Sequence, residues 1–382
     1  MTPPATPVTA DPSPATGEAD RAALRAALDA IGPLDEAAMA EARTGLDRLT
    51  KPPGSLGRLE DLVVQLAGIT GRVDSAVDRK AIVVAAADHG VTAQGVSAYP
   101  SAVTAQMVAN FVAGGAAINV LAAGVGASVT VVDVGVAGPI PPAVPGAAGG
   151  RLVSARVRAG TADMTLGPAM TAGETLRAIA IGLELMAIGA ISEADVVGLG
   201  EMGIGNTTAA SAITAVMTGS PPAAVTGRGT GVDDAGRRRK VAAIERAIAV
   251  NRPDPADPLG VLAAVGGLEI ALLVGVILGA AAARRPVVLD GFITGAAGLV
   301  AAGLEPLVGP RLIAAHRSVE PGHAIVLERL GRQPLLDLDL RLGEGSGAAL
   351  AMSLVDAAVR IRDGMATFES AAVAGPADGS RS

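Results

Sequence analysis

The sequence predicts an α/β protein, a parallel sheet flanked by helices on both faces. Three observations carry that reading. Four short, continuous apolar runs each end in polar and glycine residues, the pattern of strands buried on both faces. Between them lie Ala-rich stretches with helical character, such as TTAASAITAVMTG. Half of the 382 residues are apolar while aromatics make up 1%, so the core is built from Ala, Val, Leu and Ile.

Taken in order, residues 1–20 are rich in Pro, Thr and Ala and are expected to form a disordered arm. They lack the basic start and apolar stretch of a signal peptide. Residues 21–79 are expected to be helical. Apolar spacing over 22–49 gives two short helices, KPPGSLG (Lys51 to Gly57) a loop, and RLEDLVVQLAGITG a further helix. Residues 80–343 form the large α/β domain. Its strands are AIVVAAADHG, SVTVVDVGV, ADVVGLGEMG and RPVVLDGFI, with HAIVLERL (His323 to Leu330) a weaker fifth case. Leu259 to Ala283 is long and apolar enough to suggest a membrane span. Glu269 inside it, and its Gly and Ala content, favour a buried helix pair, because a charge at membrane depth is costly. A C-terminal helix is expected within 344–369, and a disordered tail over 370–382.

Composition excludes several functions. A net charge of -7, no Trp and one Tyr argue against nucleic-acid binding. With no cysteine there is no disulfide, thiol nucleophile or Cys-ligated zinc. AHRSVEPGH groups His316 and His323 with Arg317, Ser318 and Glu320 in a cluster that leaves metal ligation open but lacks the spacing of a helical or zinc-finger site. No metal and no cofactor are expected, and a reducing cytoplasm suits the chain.

In a parallel sheet, ligands bind beyond the carboxyl ends of the strands. Those ends carry Asp88-His89-Gly90, Asp133-Val134-Gly135, Glu201-Met202-Gly203 and Asp290-Gly291-Phe292. In GEMGIGNTTAASA, Glu201 enters a turn with Gly203 and Gly205 before a helix opens at Asn206. Such a turn either cradles an anion on backbone N–H groups or is an ordinary strand-to-helix connection. In GRGTGVDDAGRRRK, Lys240 is one of only three lysines. It reads as a compact charge for phosphate or as part of a solvated basic helix start. Glu344 sits between Gly343 and Gly345 before a helix near Ser346, as a helix cap or as a general base. His89, after a buried strand, reads as a structural hydrogen-bonder.

Six segments, KPPGSLGRLE, AADHGVTAQGVSAYPSAVTAQMV, GEMGIGNTTAASA, DGFITGAAGL, AHRSVEPGH and LGEGSGAALA, resemble in order and spacing the nicotinate-nucleotide–dimethylbenzimidazole phosphoribosyltransferase family. The resemblance runs from about Leu34 to Phe368. It implies transfer of the phosphoribosyl group of nicotinate mononucleotide to 5,6-dimethylbenzimidazole, in assembling the lower ligand of cobalamin. It also implies a Rossmann-like sheet, a small helical subdomain drawn from both chain ends (21–79 and 344–369) and a homodimer, while composition and Glu269 argue for no nucleic-acid and no membrane partner. By position, Glu344 would be the general base, and Glu201, Gly203, Lys240 and Ser318 would hold ribose and phosphate. Tyr99, Gln106 and Met107 would line the base pocket.

Three rival readings make different demands. A P-loop kinase needs a Lys-Ser/Thr after its Gly loop, which GEMGIGNTT lacks. A membrane carrier built around 259–283 would sediment with membranes. A non-catalytic binding module would bind both substrates without turnover.

Overall fold

The computed structural model describes residues 14–375, apart from 145, 147, 148 and 230. Six strands form one wholly parallel sheet: β1 (Lys80–Ala87), β2 (Ala127–Gly135), β3 (Arg151–Ser154), β4 (Val196–Met202), β5 (Val287–Leu289) and β6 (Leu312–Ala314). Their order across the sheet is β3-β2-β1-β4-β5-β6. The order reverses between β1 and β4, which opens a crevice beyond their carboxyl ends.

Why the strand runs are continuously apolar is plain at β1, all eight of whose residues are buried. Ala81, Val83, Ala85 and Ala87 join the apolar cluster on one face, and Ile82, Val84 and Ala86 the cluster on the other. With side chains alternating between faces, both sets of positions must be apolar.

The segment at 259–283 is two helices, Pro258–Val265 and Leu268–Ala282, broken at Gly266-Gly267. The second is buried along nearly its whole length, including Glu269. It crosses the helix Ala172–Leu185 so closely that a Cβ at Gly275 would lie 2.0 Å from the carbonyl oxygen of Ile179. Another stretch, Ala102–Gly124, has the length and apolarity of a membrane span. Gly114 ends its first helix in the left-handed conformation, and Phe111 and Ile118 turn inward to the core.

Helices from the two chain ends pack together. Arg58–Thr70 packs against both Glu36–Asp47 and Ser346–Gly364, and Ala42, Leu46, Val63, Leu66, Met352 and Val355 lie in one apolar cluster. The amide of Phe368 donates to the carbonyl of Arg48 at 3.0 Å. These residues share one apolar cluster with Ile82 and Val84 of the sheet.

Four expectations need correction. The arm at 1–20 is already helical from Pro14, in a helix to Asp29. Buried Asp20 accepts from Arg177 at 3.1 Å, and Leu24 joins the core. The rest of the arm, 1–13, lies outside the described residues. His323 to Leu330 is helical, within Pro321–Leu330. Its buried positions 323, 326, 327 and 330 have the spacing of one helix face, and Pro321 stands at the first turn. β3 and β6, of four and three residues, were not anticipated; β5 is as short, but its VVL run ends in Asp-Gly like the longer strands. In the tail, the amide of Val373 donates to the carbonyl of Phe368 at 3.0 Å, closing a turn, while 376–382 lie outside the described residues.

Candidate active site

A cavity of about 580 Å³ opens at the carboxyl ends of β4, β5 and β6. Three segments bring carboxylates to it: β4 delivers Glu201, Asp290 directly follows β5, and the turn before the helix Ser346–Gly364 supplies Glu344.

Glu201 sits at the end of a strand with no room to move. The Asn206 side chain, in the first turn of the next helix, donates to its carboxylate. Burial, then the charges of Asp290 and Glu269, push its carboxyl up to about 8, so it is protonated at neutral pH. The turn that follows needs its glycines. A Cβ at Gly203 would lie 2.5 Å from the carbonyl of Ala87, and Gly205 has φ +96°.

Glu344 adopts φ +65°, unusual for a residue with a side chain. The helix behind it starts from Gly345 with no side-chain cap from its own turn. Glu344 is therefore not the cap, and its Oε2 is buried without a hydrogen-bond partner. Burial, reinforced by the Asp290 charge and opposed by the Ile118 amide, raises its carboxyl above the ordinary range. Capping falls instead to Asp290, which reaches across from β5. Its Oδ1 accepts from the amides of Gly347 at 2.6 Å and Ala348 at 3.1 Å, and its Oδ2 from Gly345 at 3.1 Å. His316 Nε2 stands 3.7 Å from Asp290 Oδ1.

On the opposite wall, Thr207, Gly229, Ser318 and Glu320 face the cavity. Lys240, 1% exposed, stands behind them and donates to Thr207 Oγ1 at 2.8 Å. Burial lowers its pKa and Glu320 works against that. Glu320 Oε1 accepts the Gly229 amide at 2.8 Å. Ser318 is held by its own amide, which donates to His323 Nδ1 at 2.9 Å. Burial brings His323 down to about 3, so that nitrogen is a neutral acceptor.

The apolar side is built by Tyr99, Val103, Met107, Met202 and Ile293. Positions 99, 103 and 107 recur every four residues, one face of a helix and its approach. Gln106 points to solvent from the neighbouring face, outside the cavity. Beneath the Gly203 turn, His89 Nε2 and Glu269 Oε1 meet at 2.8 Å, both fully enclosed. Burial alone would lower the imidazole pKa, but the Glu269 charge and hydrogen bond outweigh it and raise it. His89 is thus the structural hydrogen-bonder its place after β1 suggested.

Sequence reasoning singled out Glu201, Gly203, Ser318, Glu344, Tyr99 and Met107, and all line this cavity, with Lys240 one layer behind. It passed over Asn206, Thr207, Val103, His316 and the capping role of Asp290. Val103 was findable one helical turn before Met107, and Asp290 was noted only as a strand end.

Comparison with known proteins gives the chain its family. The sequence model of a phosphoribosyltransferase family matches residues 31–373. The nicotinate-nucleotide–dimethylbenzimidazole phosphoribosyltransferase of Desulforudis audaxviator is 55% identical over 350 residues, 92% of this chain and 98% of that protein. Its namesake from Chloroflexus aggregans is 56% identical over 350 residues, 92% of this chain and 98% of that protein. A crystal structure of the Thermus thermophilus protein of that name superposes with a TM-score of 0.83 at 48% identity, covering 90% of this chain and all of the other. The chain belongs to the nicotinate-nucleotide–dimethylbenzimidazole phosphoribosyltransferase family.

Proposed function

We propose that the protein transfers the phosphoribosyl group of nicotinate mononucleotide to 5,6-dimethylbenzimidazole. The products are α-ribazole 5′-phosphate and nicotinate, in assembling the lower ligand of cobalamin. The observation that carries this reading is Glu344: a buried carboxylate with one unpartnered oxygen, on the wall of the strand-end cavity, with a raised pKa.

The chemistry asks for little more. In nicotinate mononucleotide the glycosidic nitrogen is a pyridinium, so the C1′–N bond breaks with its electron pair returning to the ring, and neutral pyridine nitrogen leaves without acid assistance. One benzimidazole nitrogen forms the new bond to C1′ from the opposite face, turning a β-nucleotide into an α-riboside. The benzimidazole N–H proton goes to Glu344, whose raised pKa suits a base working near neutrality. Glu201, neutral, donates a hydrogen bond to the ribose hydroxyls. Gly203, Ser318 and Lys240, the last through Thr207, hold the phosphate. Tyr99, Val103 and Met107 take the dimethylated ring. Gln106 is not part of this pocket.

The family resemblance supports a cytoplasmic homodimer with a small subdomain from 21–79 and 344–369, needing neither metal nor cofactor. Sedimentation as a monomer at micromolar concentration, or activity lost to a chelator, would overturn that assembly and that economy respectively. The decisive assay mixes the purified protein with both substrates and follows α-ribazole 5′-phosphate by chromatography and mass. Nucleotide consumption without this product would sink the assignment.

A further inference from the structure

Within the cavity one group does a task that neither the base nor the substrate contacts explain. Asp290 is 1% exposed, follows the three-residue strand β5, and spends both carboxylate oxygens on the helix Ser346–Gly364 and the turn before it. That helix has no cap of its own, since Gly345 has no side chain to offer. The three amides Asp290 accepts from, Gly345, Gly347 and Ala348, begin one residue after Glu344. A carboxylate on the free N–H groups of a helix start is both a charge-assisted hydrogen-bond acceptor and a favourable partner for the helix dipole. The backbone has no slack here: a Cβ at Gly347 would lie 2.8 Å from Asp290 Oδ1 and 2.1 Å from His316 Cδ2.

We propose that Asp290 is the positioning residue for the base: by clamping the amides after Glu344 it holds that carboxylate, in its left-handed backbone conformation, at the place where the benzimidazole proton arrives. This rests on the functional reading above. The clamp needs an ionised Asp290, and the charged or titratable groups that face it are His316 from the segment after β6, Glu201 from β4 and Glu344 from the clamped turn. Burial raises the Asp290 carboxyl to about 6, with His316 and the three amides pulling it down. Its negative charge in turn makes Glu344 a stronger base.

The test is Asp290→Asn, which keeps shape but turns an N–H₂ toward amides that want an acceptor. A displacement of about 1 Å in a catalytic group costs on the order of 100-fold, so kcat should fall ten- to a hundredfold, with the KM for nicotinate mononucleotide within threefold. The acid limb of the kcat profile should also move to lower pH, because Glu344 loses the charge that raises it. A residue that merely stabilises the fold would not move that limb. In a Glu344→Gln background, Asp290→Asn should cost less than threefold further, since the group it positions no longer takes a proton.

An active parent with unchanged kcat and an unmoved acid limb in D290N, or full multiplication of the two losses, overturns the proposal. A parent that forms no α-ribazole 5′-phosphate overturns the functional reading, and this one with it. If D290N does not fold, the parent protein answers through amide exchange. Protection of Gly345, Gly347 and Ala348 should drop between pH 7.5 and 5 relative to Met352, and constant relative protection overturns the clamp.

Discussion

At the scale of single residues, two glutamates at one site both have their carboxyl pKa raised by burial and by the same neighbour, Asp290. Glu344 keeps Oε2 free of any partner and does not cap the helix that follows it, so Glu344→Gln removes the proton acceptor while its amide oxygen can still accept from the Ile118 amide. Turnover should fall by ~10²-fold or more, with the melting temperature within about 1 °C of the parent. A Gln variant working within threefold of the parent would remove Glu344 as the base. Glu201 carries a stability consequence instead. Its carboxyl titrates at about 8 rather than the ordinary 4.5, so between those values the folded chain holds a proton that the unfolded chain has lost. Stability is fully present below the lower value and declines as pH rises toward the upper. Glu201→Gln removes that decline. The variant should melt about 2 °C or more above the parent at pH 8, with the difference shrinking at pH 5, and lose activity at both. A pH-independent difference would mean that Glu201 is ionised in the fold. The sequence placed both glutamates in glycine turns at a strand or helix end, but left a cap or an ordinary turn open beside each function, and their roles came from the family resemblance. The capping role of Asp290 was not legible, because its partners are amides 55 to 58 positions away, and no local pattern announces a cap supplied from another strand.

At the scale of elements, the strands that were read share an apolar run closed by polar and glycine residues, a signal that β3 and β6 lack. β1, β2 and β4 were readable because both of their faces are buried over six residues or more. The helix Pro321–Leu330 was misread because four apolar residues in sequence, AIVL, look like a strand until the buried set at 323, 326, 327 and 330 is known. Helix crossings were invisible too, although their glycines stood in plain sight. Gly275 and Gly182 let two helices touch backbone to backbone, with a Cβ at Gly182 only 2.1 Å from the carbonyl of Leu272. Gly275→Ala must push main chain against main chain. Overpacking of this sort costs ~1–3 kcal/mol, so the urea midpoint should drop while KM values hold. An unchanged midpoint would show that the two helices can part without loss.

At the scale of the whole molecule, the sheet order places every proposed reacting group on one rim and leaves the opposite side to stability alone. The helix Pro14–Asp29 belongs to that second class. It precedes the family match at residue 31, lines no part of the cavity, and covers the helix Ala172–Leu185 through Leu24 and the Asp20–Arg177 pair. Removing residues 1–30 should therefore lower the melting temperature by several degrees, about 2–4 °C per kcal/mol lost in a chain of this general size, with turnover within threefold of the full chain. Loss of turnover in a protein still folded at the assay temperature would place this helix in the working part of the molecule.

The scarcity of aromatic residues has an optical consequence. The chain has no Trp and a single Tyr, and that Tyr99, 53% exposed, stands on the cavity wall. Excited near 280 nm, a wavelength where Phe hardly absorbs, the protein emits from one chromophore at the entrance to its own site. On the proposed reading the ring that settles beside Tyr99 is the dimethylbenzimidazole, so its arrival should alter that emission and let occupancy be followed in the untouched protein, without a label and without waiting for a product.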